Sequence, residues 1–138
     1  MFLTDKYENE LINAIENETQ EIDILMYIFG TNKKANTSAA ARVLYALQTA
    51  KTRGVKIRAI TDFRASAEML VSAGIDARLA TKARMHAKLF LFSEKAIIGS
   101  HNITDTALAK NTEASYIFTD FESLEEARKL FNRTWQQP

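Results

Sequence analysis

The stretch IDILMYIFG at residues 22–30 is apolar at almost every position, and this run constrains the fold more than any other feature of the chain. A strand with one wet face alternates apolar and polar side chains. A nearly continuous run belongs to a strand covered on both faces. Its sequel is as informative. A polar loop at 31–36 carries Lys33 and Lys34. Residues 38–52 then place Ala40, Val43, Leu44, Leu47 and Ala50 on one side of a helix that stops at Gly54. VKIRAITD at 55–62 is the next strand, and after a crossover helix it is expected to run parallel to the first.

The remaining segments fit the same plan. Residues 4–18 read as an amphipathic helix capped by Thr4, with Tyr7, Leu11, Ile12 and Ile15 inward. A short helix near 64–73 ends at Gly74, and IDARLA at 75–80 is a short strand. MHAKLFLFSEKAIIGSHNIT at 85–104 reads as two apolar strands around a polar turn. A small helical turn near 104–110 and the strand EASYIFTD at 113–120 follow. The last helix opens with a capping box, Ser123 and Glu126, and buries Leu124, Ala127, Phe131 and Trp135. The sum is about six strands and four helices in an α/β sandwich: a mixed, mainly parallel β-sheet flanked by helices on both faces. Residues 1–138 are expected to form a single domain, since four glycines and one terminal proline leave nothing resembling a linker, and no segment repeats.

Absent residue types narrow the chemistry. Without cysteine there are no disulfides or thiolate metal sites. No apolar stretch is long enough for a membrane span, and residues 1–20 are acidic rather than signal-like, so a cytoplasmic protein is expected. Net charge is only +1 but unevenly spread. Residues 1–30 hold one lysine against seven acids, residues 31–110 hold fourteen basic residues against five acids, and residues 111–138 hold three against five. The basic middle is the kind of field that attracts a polyanion such as nucleic acid or an anionic headgroup.

The hairpin lies in that basic middle, with four polar groups at one end. With Ser93, Glu94 and Lys95 as its loop, Lys88 falls opposite Ser100 and His86 opposite Asn102. Direct cross-strand partners share a face, about 5 Å apart at Cβ. This register therefore gathers His86, Lys88, Ser100 and Asn102, while His101 points away. A slip of one residue would scatter them. An ammonium and a carboxamide can hold anionic oxygens, a hydroxyl can add a bond, and an imidazole can attack phosphorus or move a proton. Glu113, at the start of the next strand, can return to the same end and orient the imidazole. These residue types at this spacing describe an anion site.

HAKLFLFSEKAIIGSHN resembles the HxK(x)4D(x)6GSxN signature of the phospholipase D superfamily, through His86, Lys88, Gly99, Ser100 and Asn102. EIDILMYIFG, the helix after it, GVKIRAITD and NTEASYIF resemble the flanking regions of the short, single-motif bacterial phospholipase D-like endonucleases. Two departures stand out: Ser93 occupies the aspartate position, and the spacing from the histidine to the Gly-Ser pair is one residue short. Glu94 is the candidate for the aspartate's role in the turn.

The resemblance implies a phospholipase D-like fold and metal-independent, cofactor-free phosphodiester hydrolysis. His86 would form a phosphohistidine, Lys88 and Asn102 would neutralise the phosphate oxygens, Ser100 would support the phosphate or the imidazole, and Glu113 would hold His86. The second histidine that protonates the leaving group comes, in the family, from a second motif. One motif here implies a homodimer with a shared site. Nucleic acid is the expected substrate, with Lys33, Lys34, Arg64, Lys82 and Arg84 as backbone contacts. A phospholipid phosphodiesterase or transphosphatidylase, and a non-catalytic nucleic-acid-binding module, are the alternatives.

Overall fold

The computed structural model describes residues 1–30 and 38–138, so Lys33 and Lys34 lie outside the described residues. The described chain runs β1 (Phe2–Leu3), α1 (Tyr7–Asn17), β2 (Glu21–Met26), α2 (Ala39–Thr52), β3 (Lys56–Thr61), α3 (Arg64–Ser72), β4 (Asp76–Leu79), β5 (Lys88–Leu91), β6 (Ala96–Gly99), α4 (Asp105–Ala109), β7 (Ser115–Phe118) and α5 (Phe121–Gln136). The strands form one sheet in the order β1-β7-β6-β5-β2-β3-β4.

The apolar run supplies the centre of the sheet. Ile22, Ile24 and Met26 of β2 face one side and Leu25 the other, all buried. Through α2 the chain reaches β3, parallel to β2 as expected, and β4 continues the parallel set. On its other side β2 pairs with β5, and β5, β6, β7 and β1 are joined in antiparallel fashion. The sheet is thus mixed, but neighbour contacts are mainly antiparallel, four of six. The reason lies in the connections: the β5–β6 turn is too short for the crossover that parallel strands require.

Helices α1, α2 and α3 cover one face through Leu11, Ile15, Val43, Leu47 and Leu70. Helix α5 covers part of the other, setting Leu124, Ala127 and Phe131 on Leu25, Ile60, Leu89 and Leu91. A charged rivet holds it there. Arg58 donates to both carboxylate oxygens of Asp23 at 2.9 Å, and its guanidinium lies 4.9 Å from the Phe131 ring centre. Ala96 of β6 and Phe118 of β7 join that cluster, but the other ends of these strands leave this face bare. Ile98, Tyr116 and Phe2, paired in line across β6, β7 and β1, are 41%, 51% and 70% exposed.

Several boundaries differ from expectation. Strand β1 was not anticipated, because two residues carry no readable period. Helix α1 starts at Tyr7 and Thr4 contributes its carbonyl, not a side-chain cap. Helix α5 is capped by Asp120, whose carboxylate accepts from Ser123 N–H at 3.0 Å, in place of the expected Ser123–Glu126 box. Asp120 is an equally good cap and comes first along the chain. The hairpin register is also one residue off: Leu89 faces Ile98 and Leu91 faces Ala96, and Phe92 N–H bonds Lys95 O at 2.9 Å around a two-residue turn, Ser93-Glu94. Both strands are apolar on both faces, so burial alone does not choose between neighbouring registers.

Candidate active site

The slip does not disperse the polar groups, because strand alternation ends at Gly99. There β6 closes onto β7: a Cβ at Gly99 would sit 2.1 Å from Ser115 Oγ and 2.4 Å from Ala114 O. Only glycine permits that approach. The chain then bends, and Ser100 N–H bonds Ala114 O at 2.9 Å. The Ser100 hydroxyl accepts from Ala114 N–H at 2.9 Å and donates to Glu113 Oε1 at 2.6 Å. Asn111 Nδ2 donates to Glu113 Oε2 at 3.0 Å. Asn102 Oδ1 accepts from Ile28 N–H at 3.1 Å, beside backbone bonds linking Ile103 to Ile28 and Gly30. Tying down the carbonyl end leaves the carboxamide NH₂ to donate outward.

His86 and Lys88 stand across from these groups, at the start of β5. Lys88 Nζ donates to His86 Nδ1 at 3.1 Å and to His86 O at 2.8 Å. The imidazole is exposed and its ring centre lies 4.3 Å from that of Tyr27. Burial lowers the Lys88 ammonium below its ordinary range, with Glu113 pulling the other way. Burial raises the Glu113 carboxyl, but the Ser100 and Asn111 hydrogen bonds and the charges of His101 and Lys88 outweigh it and hold Glu113 below the usual carboxylate range. Lys88 and Glu113 thus act on each other across the site.

The expected contact between Glu113 and His86 is replaced. Both Glu113 oxygens are engaged by Ser100 and Asn111, and the neighbour of His86 Nδ1 is the Lys88 ammonium. Ser100 likewise spends its hydroxyl on Glu113 and Ala114. His101 turns away as expected: it is buried, stacked on Tyr7 at 3.9 Å, and its Nδ1 is 2.7 Å from Ser115 Oγ. Glu94 is exposed and does not brace the turn. The buried Glu18 carboxylate does so instead, accepting from Ser93 N–H at 3.0 Å and from the Ser93 hydroxyl.

Among the expected backbone contacts, Arg84 and Lys82 join His86 around a cavity of about 340 Å³ between residues 80–87 and α5. Arg84 donates to the Tyr27 hydroxyl at 3.1 Å and Lys82 to Gln137. Arg64 is exposed at the start of α3, next to Phe63, which meets Tyr27 edge-on at 5.2 Å. Sequence reading missed Tyr27, Asn111 and Glu18, and also Arg133, which lines the same cavity as His86 and Arg84. A tyrosine inside an apolar strand run was the one available signal, since its hydroxyl needs a polar partner.

A seven-stranded sheet with these groups at its strand ends defines a phospholipase D-like phosphodiesterase fold. Solved structures share it. Nuc from Salmonella typhimurium, a phospholipase D family member, is 20% identical over 99% of this chain and 93% of its own, with a TM-score of 0.82. NucT from Helicobacter pylori is 18% identical over 99% and 95%, at 0.79. TrmBL2, an archaeal chromatin protein with a novel mode of DNA binding, is 14% identical over 99% of this chain and 52% of its own, at 0.66. No curated protein matches by sequence. A family model described as "Cardiolipin synthase, PLD-like domain" matches residues 11–135, and the chain belongs to that PLD-like family within the phospholipase D superfamily.

Proposed function

We propose that residues 1–138 act as one single-motif PLD-like unit and that the chain is a metal-independent nuclease working as a homodimer. The observation that carries this reading is the His86–Lys88 pair at one sheet end, facing Asn102 and the Ser100–Glu113 pair. A substrate phosphate would draw the Lys88 ammonium onto its oxygens and release Nδ1 to hold the ring proton. Nε2 then attacks phosphorus, forming an N–P bond as the leaving P–O bond breaks, and Asn102 NH₂ shares the oxygen charge. Glu113 keeps Ser100 in place and balances Lys88. The leaving oxygen takes its proton from His86 of a second copy, which then deprotonates the water that cleaves the phosphohistidine.

Two further features support the details. A bare apolar line of Ile98, Tyr116 and Phe2 lies on strands whose ends carry Ser100 and Glu113, so a second copy covering it extends a surface continuous with the site. The basic segment 31–110 and the near full-length likeness to Nuc and NucT favour nucleic acid, and TrmBL2 binds DNA on a related fold. The family description, cardiolipin synthase, favours a phospholipid diester as the second reading. Incubating wild type and His86→Ala with DNA, RNA and a labelled phospholipid in EDTA tests both. Cleavage of nucleic acid by wild type alone is expected. Cleavage of the phospholipid alone selects the second reading, and equal activity in the variant removes His86 from the chemistry.

A further inference from the structure

Tyr27 lies outside the histidine-lysine motif, yet the basic groups at the site meet on it. Its ring centre is 4.3 Å from that of His86 at a tilt of 50°. Lys88 Nζ is 5.1 Å from it and Arg84 Cζ 5.8 Å, while Arg84 also donates to the Tyr27 hydroxyl at 3.1 Å. The two cations, Lys88 and Arg84, repel one another until an anion arrives. An aromatic face carries negative charge density that attracts cations without competing for the phosphate as a carboxylate would.

The Tyr27 backbone is held in place as well. Tyr27 N–H bonds Ala87 O at 3.2 Å, between His86 and Lys88, and Tyr27 O accepts from the Thr61 hydroxyl at 3.1 Å and Asp62 N–H at 3.3 Å. Asp62 Oδ1 in turn accepts from Met85 N–H at 2.8 Å, so the exits of β2 and β3 both grip the segment that bears His86. Phe63 closes the far edge of the ring.

We propose that Tyr27 is a positioning residue of the site: its ring fixes the His86 imidazole and the Lys88 ammonium, and its hydroxyl holds Arg84 toward an incoming phosphodiester. This rests on the reading of His86 as nucleophile. The two parts of the side chain have separable duties. The ring governs the chemical step, since displacement of a reacting group by about 1 Å can cost about 10²-fold in rate. The hydroxyl governs binding of the strand through Arg84.

Tyr27→Phe and Tyr27→Leu separate them. The chain has two histidines, so the His86 ring protons are assigned in a proton NMR spectrum by their loss in His86→Ala, with buried His101 reporting an intact fold. In Tyr27→Phe the His86 resonances stay near their wild-type positions, and cleavage of a single-stranded DNA oligonucleotide loses kcat/KM through a severalfold rise in KM. In Tyr27→Leu the His86 resonances move as the ring current is lost, His101 does not, and kcat falls about 10²-fold. Phenylalanine, not leucine, therefore rescues kcat. Unmoved His86 resonances or wild-type kcat in Tyr27→Leu overturn the proposal. If wild type cleaves no phosphodiester at all, the proposed function falls, and the NMR comparison still decides whether Tyr27 sets the imidazole.

Discussion

Glu18 and Ser93, 75 residues apart, are bonded twice: the carboxylate accepts the Ser93 N–H at 3.0 Å and also its hydroxyl proton. A buried acid from the α1–β2 connection therefore braces the β5–β6 turn, where the phospholipase D signature has an aspartate. Arg128 of α5 completes the clasp through the Ser93 and Phe92 carbonyls. The serine is a relocation of the carboxylate rather than its loss. Restoring the signature by Ser93→Asp sets two carboxylates together and is expected to destabilise the protein by about 1–3 kcal/mol in urea unfolding at pH 7. Glu18→Gln in the same chain is expected to relieve most of that. A stabilising Ser93→Asp would contradict this relationship.

The same pair sets a pH dependence. Burial raises the Glu18 carboxyl, but hydrogen bonds from the Ser93 side chain and backbone, and from the Gln20 and Glu21 backbone, outweigh it and leave Glu18 below the usual carboxylate range. A group with a depressed folded pKa stabilises above its unfolded value, about 4.3, and that contribution fades as pH falls through the folded value. Urea midpoints from pH 7 to pH 2 are expected to drop less steeply at the acid end for Glu18→Gln than for wild type. Parallel curves would place the acid sensitivity elsewhere.

Asn102→Asp separates support from chemistry. The new carboxylate keeps an acceptor for Ile28 N–H, so the melting temperature is expected to change little. It lacks the NH₂ donor and adds negative charge where phosphate oxygens would bind, so kcat should fall by about 10²–10³. Retained activity would remove the carboxamide from the transition state.

Gly99→Ala tests the closure of β6 on β7. Its Cβ would meet Ser115 Oγ, Ala114 O and Ser115 Cα within 2.4 Å, and two of these are backbone atoms that cannot swing aside. A loss of about 1–3 kcal/mol is expected from thermal or urea unfolding. An unchanged stability would mean that the strands can separate locally.

Tyr116→Glu places a charge in the bare apolar line. Analytical ultracentrifugation is expected to show a dimer for wild type and a monomer for the variant, with phosphodiesterase activity lost in proportion. A fully active monomer would end the shared-site reading.

Much of this was legible in sequence because the chemistry was local. The β2–α2–β3 unit follows from one apolar run and one periodic helix, and His86 and Lys88 are two residues apart. What was not legible depends on distance or indifference. The hairpin register could not be read from KLFL and AIIG, which bury residues on both faces, and was misread by one residue. Glu18 meets Ser93 across the fold, and nothing near either residue announces it. Glu113 was expected on His86, but Ser100 and Asn111 lie nearer along the chain and claim it first. Tyr27 was absorbed into the strand run whose end it marks.

The placement of β5 beside β2 has a consequence for folding order. The Tyr27 and Ile28 side of the cleft and the stretch from His86 to Asn102 touch only once the hairpin has docked against the earlier parallel unit, with Ile28 and Asn102 74 residues apart in the chain. Such remote pairings form late. On the proposed mechanism, a nascent or half-assembled chain would therefore carry the His86 imidazole harmlessly until this long-range seam is zipped.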